Sequence, residues 1–334
     1  MPAMMGRSSL SVSRLSLGCA TFGREIPEAT AFALMDYARE NGITLFDTAE
    51  AYGGGQAKAY RRDHLGITDT REVSDEMHSS EKIVGRWLQA RGCRDQITLV
   101  TKVTREFTRA HVRAAIEASL SRLQTDRIDL YLYHSYDGVT PIEETTAAID
   151  AVVSAGLARA AGCSNHSGPQ LQAALEASRR LGLRRSETIQ LPYNLLQSTH
   201  DALPVVQREQ VGIMAYSPLA AGFLTGKYTA DRSAVPKGTR FDVIPGHADI
   251  YFNDRNFSRV TLLHRLATRV GVPPLQLAMA WVLQNPLVTT VLVGARTPAH
   301  LDNALAAQKM NFAPEWLTEI KSWDAAPQTT VTAS

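Results

Sequence analysis

The sequence predicts an α/β protein folded as a closed (β/α)8 TIM barrel. Short β-rich apolar runs alternate with longer helical patterns, and eight such units can be counted from Leu15 onward. Several of the strands are apolar throughout, as strands buried on both faces of a parallel sheet are. A doubly wound open sheet is the alternative. It would carry a G-x-G-x-x-G turn after its first strand, and residues 18–23 lack that pattern, so the barrel is favoured.

The first half of the chain supplies four strand–helix pairs. The helix of the third pair has the clearest periodicity, because Val112, Ile116 and Leu120 share one face. Thr108 precedes this helix and is a suitable N-cap. The four pairs are 15–17 with 28–40, 44–47 with 79–90, 97–102 with 108–123, and 128–134 with 142–155.

The second half of the chain continues the alternation with one interruption. Gly182 can close the helix that precedes it. The strand at 212–217 is followed by a long irregular segment. The remaining pairs are 158–164 with 169–181, 187–191 with 201–210, and 290–293 with 298–308.

Two long segments break the rhythm and are expected to be loops. Residues 53–78 are rich in glycine and charge, and residues 218–255 contain glycine, proline and several aromatic residues. Both follow strands, so both should lie on the face where barrel active sites are built. We expect residues 1–334 to form one barrel domain, with a disordered tail from about residue 328.

The composition excludes several classes of protein. The net charge of +2 is too balanced for a dedicated nucleic-acid or polybasic membrane protein. No apolar run approaches the length of a membrane span, and the N-terminus lacks the order of a signal peptide. The three cysteines form no disulfide or zinc pattern, and the histidines form no metal motif. A cytoplasmic protein without a metal is therefore expected.

Four chemically suited side chains fall at or after the ends of consecutive predicted strands. Asp47 and Tyr52 follow the second strand, Lys102 ends the third and His134 ends the fourth. A nearby ammonium favours the phenolate and makes a tyrosine a better acid, while a carboxylate holds that ammonium in place. A histidine beside them can orient and polarise a carbonyl. Each residue alone has an ordinary structural explanation, but their joint placement suits carbonyl reduction beside a hydride source.

Motifs along nearly the whole chain resemble those of the aldo-keto reductases. No single motif is specific, but the full set of motifs in this order is highly specific. The potassium-channel-β-like and aryl-alcohol-dehydrogenase-like branches are the most similar. The resemblance implies a TIM barrel with an N-terminal β-hairpin and a core of about residues 7–312. The motifs lie at 6–18, 46–53, 101–102, 129–134, 162–165, 190–194 and 215–222.

The resemblance also implies a role for individual residues. Tyr52 would be the general acid and base, Lys102 and Asp47 would tune it, and His134 would hold the carbonyl. The implied cofactor is NADP(H), because Arg296 suits a 2′-phosphate. The cofactor contacts implied are Asp47, Ser164, Asn165, Gln190, Tyr216, Ser217, Pro218, Leu219, Gly222, Lys227, Gly294, Arg296 and His300.

The chain departs from the family pattern in the adenine region and in one loop. The family often has Gln where His300 stands, and Asn303 lies one place early. Lys102 follows Tyr52 by 50 residues, about twenty more than usual, which lengthens the loop near the substrate mouth.

The predicted activity is reversible reduction of an aldehyde or ketone to its alcohol, with a small molecule as the partner. A slow nicotinamide-binding regulatory subunit and a Schiff-base lyase using Lys102 are the alternatives. The sequence leaves oligomerisation open. Five aromatic residues were candidates to line an apolar mouth for a bulky or aromatic carbonyl: Phe22, Tyr136, Tyr251, Phe252 and Phe257.

Overall fold

A computed structural model describes residues 2–68 and 71–323 and confirms the predicted barrel. Eight parallel strands close into a cylinder in which the last strand pairs with the first. The predicted disordered tail lies outside the described residues. The barrel strands are β3 (Leu15–Gly18), β4 (Leu45–Asp47), β5 (Thr98–Val103), β6 (Ile128–Tyr133), β7 (Ala158–Ser164), β8 (Ser186–Pro192), β9 (Gly212–Tyr216) and β10 (Val288–Gly294).

Helices surround the barrel and bury their apolar faces against it. Thr108 caps α4 (Arg109–Leu123) as predicted, since its side chain accepts from the backbone N–H of His111. Ser167 and Gln170 form a reciprocal capping box at the start of α6 (Gly168–Leu181). The helices are α1 (Glu28–Glu40), α2 (Gly54–Leu65), α3 (Ser79–Arg91), α4 (Arg109–Leu123), α5 (Ile142–Ser154), α6 (Gly168–Leu181), α7 (Leu203–Glu209), α8 (Arg240–Val243), α9 (Ala248–Tyr251), α10 (Asp254–Val270), α11 (Pro274–Leu283), α12 (Pro298–Gln308) and α13 (Pro314–Ser322).

A small antiparallel hairpin precedes the barrel, as the resemblance implied. It consists of β1 (Ala3–Met4) and β2 (Ser11–Val12). Met5, Leu10 and Val12 are buried and join the cluster of side chains that fills the barrel interior. The hairpin therefore closes the barrel at the end opposite the carboxyl ends of the strands, and leaves that other end available for a site.

Both predicted long loops contain helices. The 53–78 segment includes α2, and the 218–255 segment includes α8, α9 and a 3₁₀ helix at Ala220–Thr225. The start of α2 is tightly packed, since a Cβ on Gly54 would come within 1.9 Å of the Ser74 carbonyl oxygen. α2 carries few apolar residues, so its sequence gives no amphipathic signal.

Three further helices were not predicted from the sequence: α10, α11 and α13. α10 does carry the apolar periodicity of a helix, because Val260, Leu263 and Ala267 repeat at helical spacing and are buried. From the sequence, the stretch after the seventh barrel strand is nevertheless expected to be irregular. Among the described residues no single helix is long and apolar enough to cross a membrane; α10 and α11 reach that length only together, across a bend of 99°.

Candidate active site

The carboxyl ends of the barrel strands surround a cavity of about 450 Å³. Asp47 ends β4, Ser164 ends β7 and Tyr216 ends β9, so parallel strands bring residues distant in sequence to one mouth. Every predicted catalytic or cofactor-binding residue except Lys102 lines this cavity. Lys102 is fully buried behind Asp47 and Tyr52, one layer below the cavity surface.

The Lys102 ammonium is held by three oxygen atoms. Its Nζ donates to Asp47 Oδ2 and to the Thr48 carbonyl oxygen, each at 2.8 Å, and to the Tyr52 hydroxyl at 3.4 Å. Burial alone would lower the pKa of Lys102, but the charges of Asp47 and Tyr52 outweigh it and the pKa is raised. The side chain is therefore a fixed cation beneath the tyrosine.

Asp47 is held on both carboxylate oxygens. Oδ2 accepts from Lys102, and Oδ1 accepts from the Gln190 side-chain amide at 2.8 Å. Burial raises the pKa of Asp47, while Lys102 and Gln190 oppose that rise. The bidentate arrangement fixes the orientation of the carboxylate, and with it the position of Lys102.

The Tyr52 hydroxyl lies between a cation and an imidazole. His134 Nε2 is 3.5 Å from it, and the two rings meet edge to face with centroids 5.4 Å apart. Burial and the Lys102 charge lower the pKa of His134 to about 3, so the ring is neutral at physiological pH. Its Nδ1 is buried without a hydrogen-bond partner among the described residues.

A chain of polar side chains runs beside these residues along the strand ends. The Asn165 amide donates to the His134 carbonyl oxygen at 2.9 Å, and its oxygen accepts from the Tyr216 hydroxyl at 2.8 Å. Ser164 Oγ donates to the Gln190 carbonyl oxygen at 3.0 Å. Asn165 adopts a positive φ of 55°, which asparagine tolerates better than most residues. These contacts place amide and hydroxyl groups where a carboxamide could bind.

The far end of the cavity is cationic. Lys227, Arg296 and His300 line it, and the Arg296 backbone N–H donates to His300 Nδ1 at 3.2 Å. Burial and the charge of Arg296 lower the pKa of Lys227. Two clustered cations at a cavity wall favour an anionic ligand.

The backbone between the two ends of the cavity is accessible. A Cβ on Gly222, which has a φ of +88°, would meet only Tyr228 Oη at 3.8 Å and Lys227 Nζ at 4.0 Å. A Cβ on Gly294 would meet nothing within 4 Å. Accessible backbone beside cations leaves room for a pyrophosphate. The donor set therefore fits a phosphorylated dinucleotide with a carboxamide at one end.

Three charged residues of this cavity were missed by sequence reasoning. The Glu25 side chain is 5% exposed and accepts from Arg24 at 2.7 Å and from Arg240 at 3.0 Å. Arg240 lies 215 residues away from Glu25 in the chain. Glu25 lies outside any helix or strand and Arg240 begins a four-residue helix, so no periodicity or strand-end position could have predicted their meeting.

The predicted apolar mouth is wrong in its residues. Phe22 and Tyr251 are buried, and Phe252 and Phe257 pack around Phe223 in an aromatic cluster. Tyr136 is partly exposed and packs edge to face on His166. None of the five predicted residues lines the cavity. These residues were expected to lie in open loops, but Tyr251, Phe252 and Phe257 pack around Phe223 and Phe22 is fully buried.

Comparison with known proteins identifies relatives along nearly the whole chain. The sequence profile described as "Aldo/keto reductase family" matches residues 14–325. "Uncharacterized oxidoreductase YrpG" of Bacillus subtilis (strain 168) is 33% identical, covering 94% of this chain and 92% of its own length. "Aldo-keto reductase YhdN" of the same organism is 34% identical, over 88% of this chain and 85% of its own. "Probable voltage-gated potassium channel subunit beta" of Arabidopsis thaliana is 31% identical, over 91% of this chain and 89% of its own length.

Proposed function

Because the chain belongs to the aldo/keto reductase family, we propose that it is an NADP(H)-dependent oxidoreductase interconverting an aldehyde or ketone and its alcohol. The observation that carries this proposal is the position of the Tyr52 hydroxyl, between the Lys102 ammonium and neutral His134. A positioned phenol beside a fixed cation can give a proton to a carbonyl oxygen and take it back from an alcohol.

The cofactor-binding proposal rests on the chemistry of the cavity walls. Ser164, Asn165 and Gln190 offer hydroxyl and amide groups for a nicotinamide carboxamide, and Tyr216 borders the same region. Lys227 and Arg296 offer cations for the phosphates. When bound, the dinucleotide supplies the hydride that reduces the carbonyl carbon.

In the proposed mechanism each residue near Tyr52 has a separate task. His134 Nε2 faces the Tyr52 hydroxyl, and a carbonyl oxygen placed between them would be oriented by both. Tyr52 Oη donates its proton to that oxygen as negative charge develops there. Lys102 stabilises the phenolate that remains, and Asp47 holds Lys102. The reverse sequence oxidises an alcohol.

The test is the variant Tyr52→Phe, which removes the hydroxyl and keeps the ring. General acid catalysis contributes about 10²–10⁴-fold, so we expect aldehyde-dependent NADPH oxidation to fall by at least 100-fold. NADPH binding, measured by fluorescence titration, should persist. Tyr136→Phe is the matched control, since Tyr136 is partly exposed and lies outside the cavity. Undiminished turnover in Tyr52→Phe would refute Tyr52 as the acid.

A regulatory subunit of a channel complex is the second candidate, supported by the name of the Arabidopsis relative. Rapid multiple turnover with simple aldehydes would count against it. The lyase alternative is disfavoured, because Lys102 donates to three oxygens and its raised pKa keeps it protonated and non-nucleophilic. Borohydride trapping of a substrate on Lys102 would revive it.

A further inference from the structure

A second cavity, of about 840 Å³, lies next to the active-site cavity. Its walls come from α2, from the turn at 104–105 after β5, and from the segment between α8 and α9. Arg24, Ile244 and His247 line both cavities. Glu50, Ala51 and Gly53 also line it, so the short loop that carries Tyr52 separates the two spaces.

Exposed apolar side chains concentrate at this second cavity. Nine large hydrophobic residues are exposed among the described residues, and three of them line it. These are Tyr60, Leu65 and Met77, which are 54%, 43% and 47% exposed. Scattered exposed apolar residues are ordinary, but a cluster around a concave space indicates a ligand surface.

The wall formed by α2 presents a flat face. Ala57, Tyr60 and His64 are spaced three and four residues apart, so they lie on one side of the helix. The Tyr60 and His64 rings are stacked, with centroids 4.7 Å apart and planes within 17° of parallel. A further planar ring could pack against this pair.

The buried Arg24 and Arg61 and the half-buried Glu50, which line the second cavity, already have partners. Arg24 pairs with Glu25, and Arg61 with Glu72. A Glu50 carboxylate oxygen accepts from the Thr104 backbone N–H at 2.7 Å. An apolar ligand would therefore leave these three groups with the partners that they already have. A charged ligand would have to compete with the existing ion pairs.

We propose that the second cavity binds the non-reacting end of the substrate, and that this end is an apolar chain carrying an aromatic ring. The carbonyl would reach Tyr52 and His134 in the first cavity, and the chain would pass beside Ile244 and His247. The proposal rests on the proposed carbonyl reduction and adds the substrate class: long aryl-alkyl carbonyl compounds rather than small ones.

The kinetic test uses phenylacetaldehyde and a series of ω-phenylalkanals with longer chains. Each additional buried methylene should raise kcat/KM by roughly three- to fourfold until the second cavity is filled. Ala57→Phe places a ring in that cavity and should lower kcat/KM for the longest aldehyde at least tenfold more than for phenylacetaldehyde. Ala90→Phe is the matched control, since Ala90 is exposed and outside both cavities. A kcat/KM independent of chain length, or an equal loss for all aldehydes in Ala57→Phe, would overturn the proposal.

A binding measurement separates this proposal from the proposed catalysis. Titration calorimetry with an ω-phenylalkanol should show affinity that rises with chain length, falls in Ala57→Phe and persists in Tyr52→Phe. If the alcohols bind in this way but no aldehyde is reduced, the proposed function fails and the binding site stands. If light scattering instead shows dimers that Ala57→Phe dissociates, a second copy covers these side chains and the substrate proposal is wrong.

Discussion

Lys102 and Asp47 form a buried ion pair whose stability depends on both partners. The Lys102 side chain is 0% exposed and that of Asp47 is 3% exposed. Removing both charges from water carries a desolvation cost that their attraction and hydrogen bonds offset. The pair places charge beside Tyr52, and a buried pair of this kind is sensitive to loss of either member.

Lys102→Met should therefore destabilise the protein as well as impair catalysis. The substitution leaves the Asp47 carboxylate buried and unpaired, so we expect a loss of about 3–5 kcal/mol in the free energy of unfolding. Urea denaturation monitored by circular dichroism measures it. The double variant Asp47→Asn with Lys102→Met removes both charges and should recover most of the loss. A loss below about 1 kcal/mol in the single variant would contradict this view of the pair.

His134 predicts a pH dependence of stability. Its pKa is about 3 in the folded protein against an ordinary value of 6.5, because burial and Lys102 disfavour the imidazolium. As the pH falls below about 6.5 the unfolded chain binds a proton that the native protein does not, so the free energy of unfolding decreases. The free energy of unfolding therefore falls progressively between about pH 6.5 and pH 3.

His134→Gln should make that decrease shallower, by up to about 1.4 kcal/mol per pH unit below pH 6. Urea midpoints measured from pH 7.5 to pH 4.5 give the comparison. Gln89→Asn is the control, because Gln89 is exposed, does not titrate and should leave the slope unchanged. Identical slopes for the wild type and His134→Gln would show that His134 is not held neutral.

At the scale of elements, α2 depends on tertiary contacts more than on its own sequence. It begins with two glycines and has little apolar surface, but Arg61 and Glu72 form an ion pair with both side chains buried. This pair joins the helix to the segment that returns to α3. The described part of the connection between β4 and α3 thus forms a wall of the second cavity.

Glu72→Ala should loosen this wall, because it removes the Arg61–Glu72 ion pair from a buried site. We expect a cost of about 3–5 kcal/mol, with hydrogen exchange of the α2 amides accelerating more than that of β5 and β6. Asp75→Ala, which removes the exposed Lys58–Asp75 pair, should cost less than about 1 kcal/mol. Equal exchange rates in the two variants would show that the buried pair does not anchor α2.

Across the whole molecule, the barrel brings the Tyr52 end of the cavity and its cationic end together in one space. Parallel strands align their carboxyl ends, so Tyr52 and Arg296 border one space although they follow strands at opposite ends of the sequence. A ligand that spans this space would bind several loops at once. Its binding should therefore stabilise the native state as a unit.

NADPH should raise the melting temperature more than NADH at equal concentration. A ligand at 100 times its Kd adds about 2.7 kcal/mol to the free energy of unfolding. Arg296→Ala removes the cation proposed to bind the 2′-phosphate and should abolish the difference between the two cofactors. Arg269→Ala is the control, since Arg269 is an exposed arginine on α10 paired with Glu319. An unchanged difference in Arg296→Ala would exclude Arg296 from cofactor discrimination.

The sequence by itself determined the barrel and the strand-end residues. Apolar strands and helical periodicity are local signals, and a parallel barrel necessarily gathers residues such as Asp47, Lys102 and His134 at one end. Asp47, Lys102 and His134 are identified by strand-end position and side-chain chemistry together, whereas Tyr52 lies five residues beyond its strand.

The packing of the connecting segments depends on tertiary contacts. The Glu25–Arg240 contact and the second cavity join residues far apart in sequence, and α2 is held by an ion pair with Glu72, which lies outside the helix. Phe22 and Tyr251, expected at the mouth, are buried for the same reason. The position of a strand can be predicted from its own apolar pattern, whereas the position of a loop depends on the residues that it contacts. Binding residues are often on loops, so the sequence predicts substrate choice least well.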